Sequence, residues 1–360
     1  MKIRNLQTVF KYVTDMIAAK IFFALVLALI VCILSYWLLR VSFYAEPNEL
    51  DNISAQKFRK EDDLVQLSLL RNFGKKRGPM AVENFLKKTY PDEPADEHEL
   101  GHVIGEVAFG EKGVDGFGVC SSFFRFSCYH GVILEAIKQR GYSEALLKSL
   151  GDGCRGLDRN KTAITACLHG VGHALMIVNS YDLFRSYQAC DSMLKDNQEL
   201  FFCYDGVSME NVVRRQEQAG VSNFLGSADP LYPCDRVELQ YQPACVREHV
   251  HYARREFYDK DTARISKEYC LSFADEGSRL ECFGGLGSAL NQDFSGEPQK
   301  VIDECKKAEE YAIHCLITAA TQYAYANQSG QAARVCESIE ETDGTSVCLG
   351  AVKQSEESMF

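Results

Sequence analysis

The sequence predicts an all-α protein: an N-terminal transmembrane helix, then disulfide-stapled two-helix repeats forming a solenoid or toroid. Three observations carry that expectation. A long charge-free segment stands near the N-terminus, cysteines recur in pairs at a helical-hairpin period, and no long alternating runs of β-branched residues appear. The chain has 360 residues, 46% of them hydrophobic, which is enough for a sizeable core. Its formal net charge of -11, with scattered basic residues, excludes a nucleic-acid surface.

Residues 21–39 carry no charge and are flanked by Lys20 and Arg40. A helix of that length spans about 28 Å, close to a bilayer core. Lys2, Arg4, Lys11 and Lys20 precede it, and Glu46, Glu49 and Asp51 follow. The positive-inside rule therefore places residues 1–20 in the cytoplasm and the rest outside a plasma or inner membrane. A cleaved signal peptide fits less well, because the apolar stretch is long and Phe43 stands where a small residue is wanted. Residues 40–93 read as a stalk with helices around "EDDLVQLSLLRNF" and "GPMAVENFLKKTY". Residues 94–360 read as an extracytoplasmic repeat domain.

Cysteine usage points to the same compartment independently. Of 15 cysteines, Cys32 lies in the predicted span and 14 lie beyond it, an even number where disulfides persist. Seven segments open on a cysteine and continue as a small-residue helix, at Cys128, Cys167, Cys203, Cys245, Cys282, Cys315 and Cys348. Their intervals of 33 to 42 residues suit a two-helix repeat. Each has an earlier companion: Cys120, Cys154, Cys190, Cys234, Cys270, Cys305 and Cys336, 8 to 13 residues upstream. The companion is expected near the end of one helix, and its partner at the start of the next. A short loop keeps those ends close, so a disulfide within each unit is geometrically reasonable, contributing about 3 kcal/mol. No C-x2-C spacing occurs, which argues against cysteine-bound zinc. Gly131, Gly170, Gly206 and Gly285 stand three residues after their cysteines, a register that implies close helix approach.

Aligning the second helices on their cysteines exposes a polar stripe. Two residues after the cysteine stand His130, His169, Asp205 and Arg247; six after stand Leu134, His173, Met209 and His251. Positions four apart share a helix face. His169 and His173 form one i, i+4 pair, and His98 and His102 within "HELGH" form another. Such a pair can place two imidazoles on one ion, so both pairs and His130 are the candidate metal ligands. Asp205 and His251 are expected to support them. Imidazole donors favour Zn²⁺ among divalent transition metals, with Fe and Cu also compatible. His249, two residues from His251, is expected at the surface.

The strings "HELGHVIG", "CYHG" and "CLHGVGHALM" resemble a loose group of uncharacterised membrane-anchored bacterial proteins. That resemblance covers residues 76–180 and implies a shared histidine-lined site without a function. "HELGH" is also similar to the H-E-x-x-H of gluzincin-type peptidases. This implies His98 and His102 as zinc ligands, Glu99 as the base acting on a bound water, and a later glutamate, for which Glu135 is the candidate, as third ligand. "CYHG" and "CLHG" are faintly similar to the zinc-binding Cys-His-Gly of lanthipeptide cyclases, whose cysteines are thiolates.

Two function classes follow. One is a metal-dependent enzyme, hydrolytic with zinc, in which Glu99 or Glu135 transfers a proton. The other is a helical-repeat scaffold or receptor with structural histidines, presenting its surface to a protein or peptide partner. The enzyme reading requires the imidazole nitrogens to converge. The scaffold reading is favoured if the rings point apart.

Overall fold

The computed structural model describes residues 54–91, 97–157, 161–217, 224–225 and 228–357. The predicted cytoplasmic segment and membrane span lie outside the described residues. The chain divides into two compact units, Met1–Asn72 and Phe73–Phe360. In the first, α1 (Ala55–Phe58) is capped by the Ser54 hydroxyl, which accepts from the Lys57 N–H, and α2 (Asp63–Arg77) begins there.

The described residues of the second unit are mostly helical and include no strand. α3 (Pro79–Thr89) opens on proline, whose fixed φ suits a first helical turn, and packs on α4 (His98–Lys112). Both stalk helices expected from sequence are thus present, and α3 belongs with the compact unit that carries the repeats. Then come α5 (Phe123–Arg140), α6 (Glu144–Arg155), α7 (Lys161–Val178), α8 (Leu183–Met193) and α9 (Asn197–Glu217). They are followed by α10 (Gln242–Glu256), α11 (Thr262–Glu268), α12 (Glu276–Asp293) and α13 (Pro298–Cys305). The series ends with α14 (Ala312–Tyr325), α15 (Ser329–Glu337) and α16 (Thr342–Glu357).

The long helices pack in sequence order: α4 on α5, α5 on α7, α7 on α9, α9 on α10, α10 on α12, α12 on α14 and α14 on α16. Shorter helices flank them, with α6 against α7, α8 against α9 and α13 against α12 and α14. Ser143, Asp182, Asp261 and Asp275 cap α6, α8, α11 and α12, each accepting from a first-turn N–H. Among the described residues, α7 alone is long and apolar enough to cross a membrane. Half of it is buried, and α5, α6, α8 and α9 pack around it, so it serves as a core helix.

Each predicted cysteine pair is a disulfide: Cys120–Cys128, Cys154–Cys167, Cys190–Cys203, Cys234–Cys245, Cys270–Cys282, Cys305–Cys315 and Cys336–Cys348. Their Cα atoms lie 5.4 to 6.1 Å apart. The expected position within the second helix was too early. This holds for Cys167 and Cys203, which sit well inside α7 and α9 because upstream residues such as "KTAITA" continue the helix, whereas Cys128 stands just after the non-helical residues 124–126, at the start of the regular part of α5 as expected. In the first, fourth and fifth units the companion cysteine is outside any α-helix. Cys120 follows a 3-10 turn, Cys234 lies in a turn, and Cys270 opens a short 3-10 segment.

Backbone packs directly on backbone at the glycines. A β-carbon on Gly131 would overlap the carbonyl of His102, and one on Gly105 the carbonyl of Cys128. The α7–α9 contact repeats this exchange, Gly206 against the His169 carbonyl and Gly172 against that of Cys203. Gly285 meets the Arg247 carbonyl, and Gly287 that of Cys315. At α5–α7 the vacant space is used differently. A β-carbon on Gly170 would lie 2.6 Å from Cδ2 of His130, so that glycine makes room for an imidazole.

α5 opens with an unusual turn. Phe124, Arg125 and Phe126 have φ of 49, 52 and 64°, three consecutive non-glycine residues in the left-handed region. Each costs roughly 1–2 kcal/mol. Aromatic packing holds the turn: Phe124 lies 6.1 Å from the Tyr90 ring, and Phe126 lies 6.5 Å from Tyr325 at the end of α14.

Gly206→Ala should therefore destabilise the protein at or above the top of the usual range for overpacking, about 1–3 kcal/mol. The control is Gly350→Ala in α16, where the added carbon would meet nothing within 4 Å. It should be neutral or stabilise by up to about 1 kcal/mol. Denaturant unfolding of both variants checks this, and equal midpoints would contradict backbone contact at Gly206.

Candidate metal centre

The five predicted ligand histidines come together on three helices. α4 supplies His98 and His102 from one face, α5 supplies His130, and α7 supplies His169 and His173 from one face. One nitrogen from each of His98, His102 and His130 can be chosen so that all three lie within 4.8 Å of one another, a group able to hold a metal ion. His98 Nε2 is 3.3 Å from His130 Nδ1. Two imidazole nitrogens on one tetrahedral zinc stand about 3.3 Å apart, given bonds of about 2.0–2.1 Å.

The other pair approaches just as closely. His169 Nε2 is 3.0 Å from His173 Nε2. The His130 ring stands between the two pairs, its centroid 5.3 and 5.5 Å from His98 and His102 and 6.1 and 5.0 Å from His169 and His173. The histidines are recessed but reachable, for the side chains of His169 and His173 retain 16% and 13% of their exposure.

Outer groups aim the rings. His169 Nδ1 lies 3.1 Å from Asp205 Oδ2, and His173 Nδ1 lies 2.8 Å from Glu210 Oε2, both on α9. The Phe124 backbone, in the left-handed turn, acts on the His98 ring to raise its pKa against the effect of burial. A carboxylate or carbonyl on one ring nitrogen fixes the tautomer and leaves the other nitrogen's lone pair for a metal. Burial, reinforced by the neighbouring His173, pulls His98 down to about 4. Burial also holds His130 well below the ordinary histidine value, and it lowers His169 against the opposing Asp205 hydrogen bond. Neutral imidazoles are the form that binds metals.

Behind this layer lies a charged network. Burial pushes the Asp205 carboxyl up, but the His169 hydrogen bond and the Arg247 charge outweigh it and keep the group ionised. Arg247 Nε is 3.6 Å from Asp205 Oδ1, and its Nη1 is 2.5 Å from Glu281 Oε2. Glu248 is buried beside Asp205; burial and that charge raise its carboxyl well above the usual range.

Other expectations fare differently. Glu99 is exposed on α4, and Glu135 bonds Lys138 and Gln139 on its own helix, so neither belongs to the metal-competent group. One residue along a helix rotates the side chain by about 100°, which takes Glu99 off the His98–His102 face. His251 is buried near Arg255, Arg254 and Arg247; burial and those charges take it down to about 4. The surface assignment of His249 is corrected: it is buried, with Nδ1 2.8 Å from the Tyr269 hydroxyl. Helical spacing places His249 and His251 on different faces, but α10 packs on both sides, against α9 and α12. Comparison of the chain with protein-family models, with curated proteins and with solved structures returns no match.

Burial takes His249 down to about 3. Its folded value lies below the unfolded one near 6.5, so the unfolded chain binds the extra proton. This contribution is intact above about pH 6.5 and falls by up to about 1.4 kcal/mol per pH unit as the pH drops towards 3. His249→Gln should reduce the pH slope of denaturant stability between pH 6 and 4 by about one proton. An unchanged slope would contradict a neutral, buried His249.

Proposed function

We propose that this chain is a membrane-anchored, extracytoplasmic metalloprotein whose centre at His98, His102 and His130 supports hydrolysis. The observation that carries the reading is the convergence of those three nitrogens from α4 and α5. Three imidazoles suit Zn²⁺ best, and a zinc ion with three protein ligands keeps a position for water or substrate. Such an ion supplies Lewis-acid activation, lowering the pKa of bound water to about 7. The recessed but reachable setting admits a small group to the ion. The anchor rests on the charge-free residues 21–39 and their flanking lysines, and the compartment on the disulfides.

One observation favours the scaffold alternative: His169, Asp205, Arg247 and Glu281 form a polar chain across α7, α9, α10 and α12 that would order the helices without an ion. In that reading the repeat surface receives a protein or peptide.

Metal analysis of the purified full-length protein separates the two. At least one equivalent of zinc or another transition metal is expected, and the His98→Ala, His102→Ala double variant should lose an equivalent while keeping its helical content. Hydrolysis of ester, peptide or phosphoester probes should stop on chelation and return with Zn²⁺. Metal-free wild-type protein after incubation with Zn²⁺ would sink the metal centre. Bound zinc with no hydrolysis of any probe would leave only the scaffold reading.

A further inference from the structure

Resting on that metal-centre reading, we propose that the cluster holds two metal ions side by side, the second bound by His169 and His173 of α7. A tetrahedral ion accepts four ligands, and five imidazoles meet here. They also meet as two sets. His98, His102 and His130 group together, whereas His169 and His173 turn their Nε2 atoms towards each other at 3.0 Å.

The second set is arranged as ligands are. Each ring has its Nδ1 against a carboxylate from α9, at 3.1 Å for Asp205 and 2.8 Å for Glu210. With both Nδ1–H groups donated outward, the two Nε2 atoms face each other as lone pairs across 3.0 Å. Two acceptors that close repel unless a cation lies on them. The separation is near the roughly 3.3 Å edge of a tetrahedral zinc. Two carboxylates behind two imidazoles also balance a dication, the usual carboxylate–histidine–metal order. A proton shared by the two rings is the competing occupant.

The two sets form one centre because Gly170 lets the His130 ring lie against α7. His130 is 5.0 Å from His173 between ring centroids. Its Nδ1 faces His98, and its opposite edge faces Gly170. Paired divalent ions can stabilise both the attacking and the leaving oxygen of one displacement. Only two rings belong wholly to the second ion, so it should bind more weakly than the first.

The test is the stoichiometry of the full-length protein titrated with Zn²⁺ by calorimetry, with Cu²⁺ loading followed by electron paramagnetic resonance. Two equivalents are expected, and a spin-coupled signal at full loading. The His169→Ala, His173→Ala variant should keep one equivalent. Asp205→Asn and Glu210→Gln, which preserve shape, should weaken only the second ion, by about 10- to 100-fold. A single equivalent in the wild type, unaffected by Asp205→Asn, would overturn the proposal in favour of a shared proton. A single equivalent lost on removing either histidine pair would overturn it in favour of one ion common to both. No bound metal at all would remove the metal-centre reading as well.

Discussion

Everything at the centre depends on how closely the long helices approach. Side chains at a helix contact ordinarily hold axes 8–10 Å apart. Here glycine lets one helix rest on another's carbonyls, and two of those carbonyls belong to His102 and His169 themselves. The residues that carry the imidazoles are thereby wedged by main chain, which has no rotamers to relax into. Gly170 completes the arrangement by admitting the His130 ring. A histidine cluster built on ordinary leucine-lined contacts would have its helices too far apart for the rings to meet.

The repeat supplies the chemistry by varying one register. Two residues after the cysteine come His130, His169, Asp205 and Arg247 on successive long helices. Each reaches its neighbour in the next unit, so ligand, carboxylate and counter-ion follow in line. The partner register shows the same logic. Gly170 lies against His130, and Glu248, its equivalent in the fourth unit, lies against Asp205. Burying Arg247 and its carboxylates gains little net stability, because desolvation offsets the attraction. Its effect is orientation: Asp205 is held ionised and aimed at His169.

Much of this was legible in the sequence. The seven cysteine pairs and the two i, i+4 histidine pairs followed from spacing, since period and register are properties of one chain, whereas spacing left open whether the five rings converge. What was hidden depends on neighbours. Glu99 completes a familiar string, but it stands exposed on α4 and is not one of the three grouped ligand residues. The sequence offers Asp205, Glu135 and Glu210 as hydrogen-bond partners for the histidines, but which carboxylate meets which ring is set by the approach of α9, which brings Glu210 to His173. The burial of His249 needed knowledge of both flanking helices. The left-handed turn at Phe124 to Phe126 has no glycine to announce it, and its aromatic partners are far away in sequence.

The disulfides have a consequence beyond joining helices. Every described cysteine is already bonded to another, so the centre is built from nitrogen, with oxygen behind it. A thiolate site exposed to oxidants climbs from sulfenic to sulfonic acid and releases its ion. Imidazole offers no such first step. The same oxidation that would poison a cysteine-ligated centre is here the reaction that completes the fold, so the conditions that mature the scaffold leave its ligands untouched.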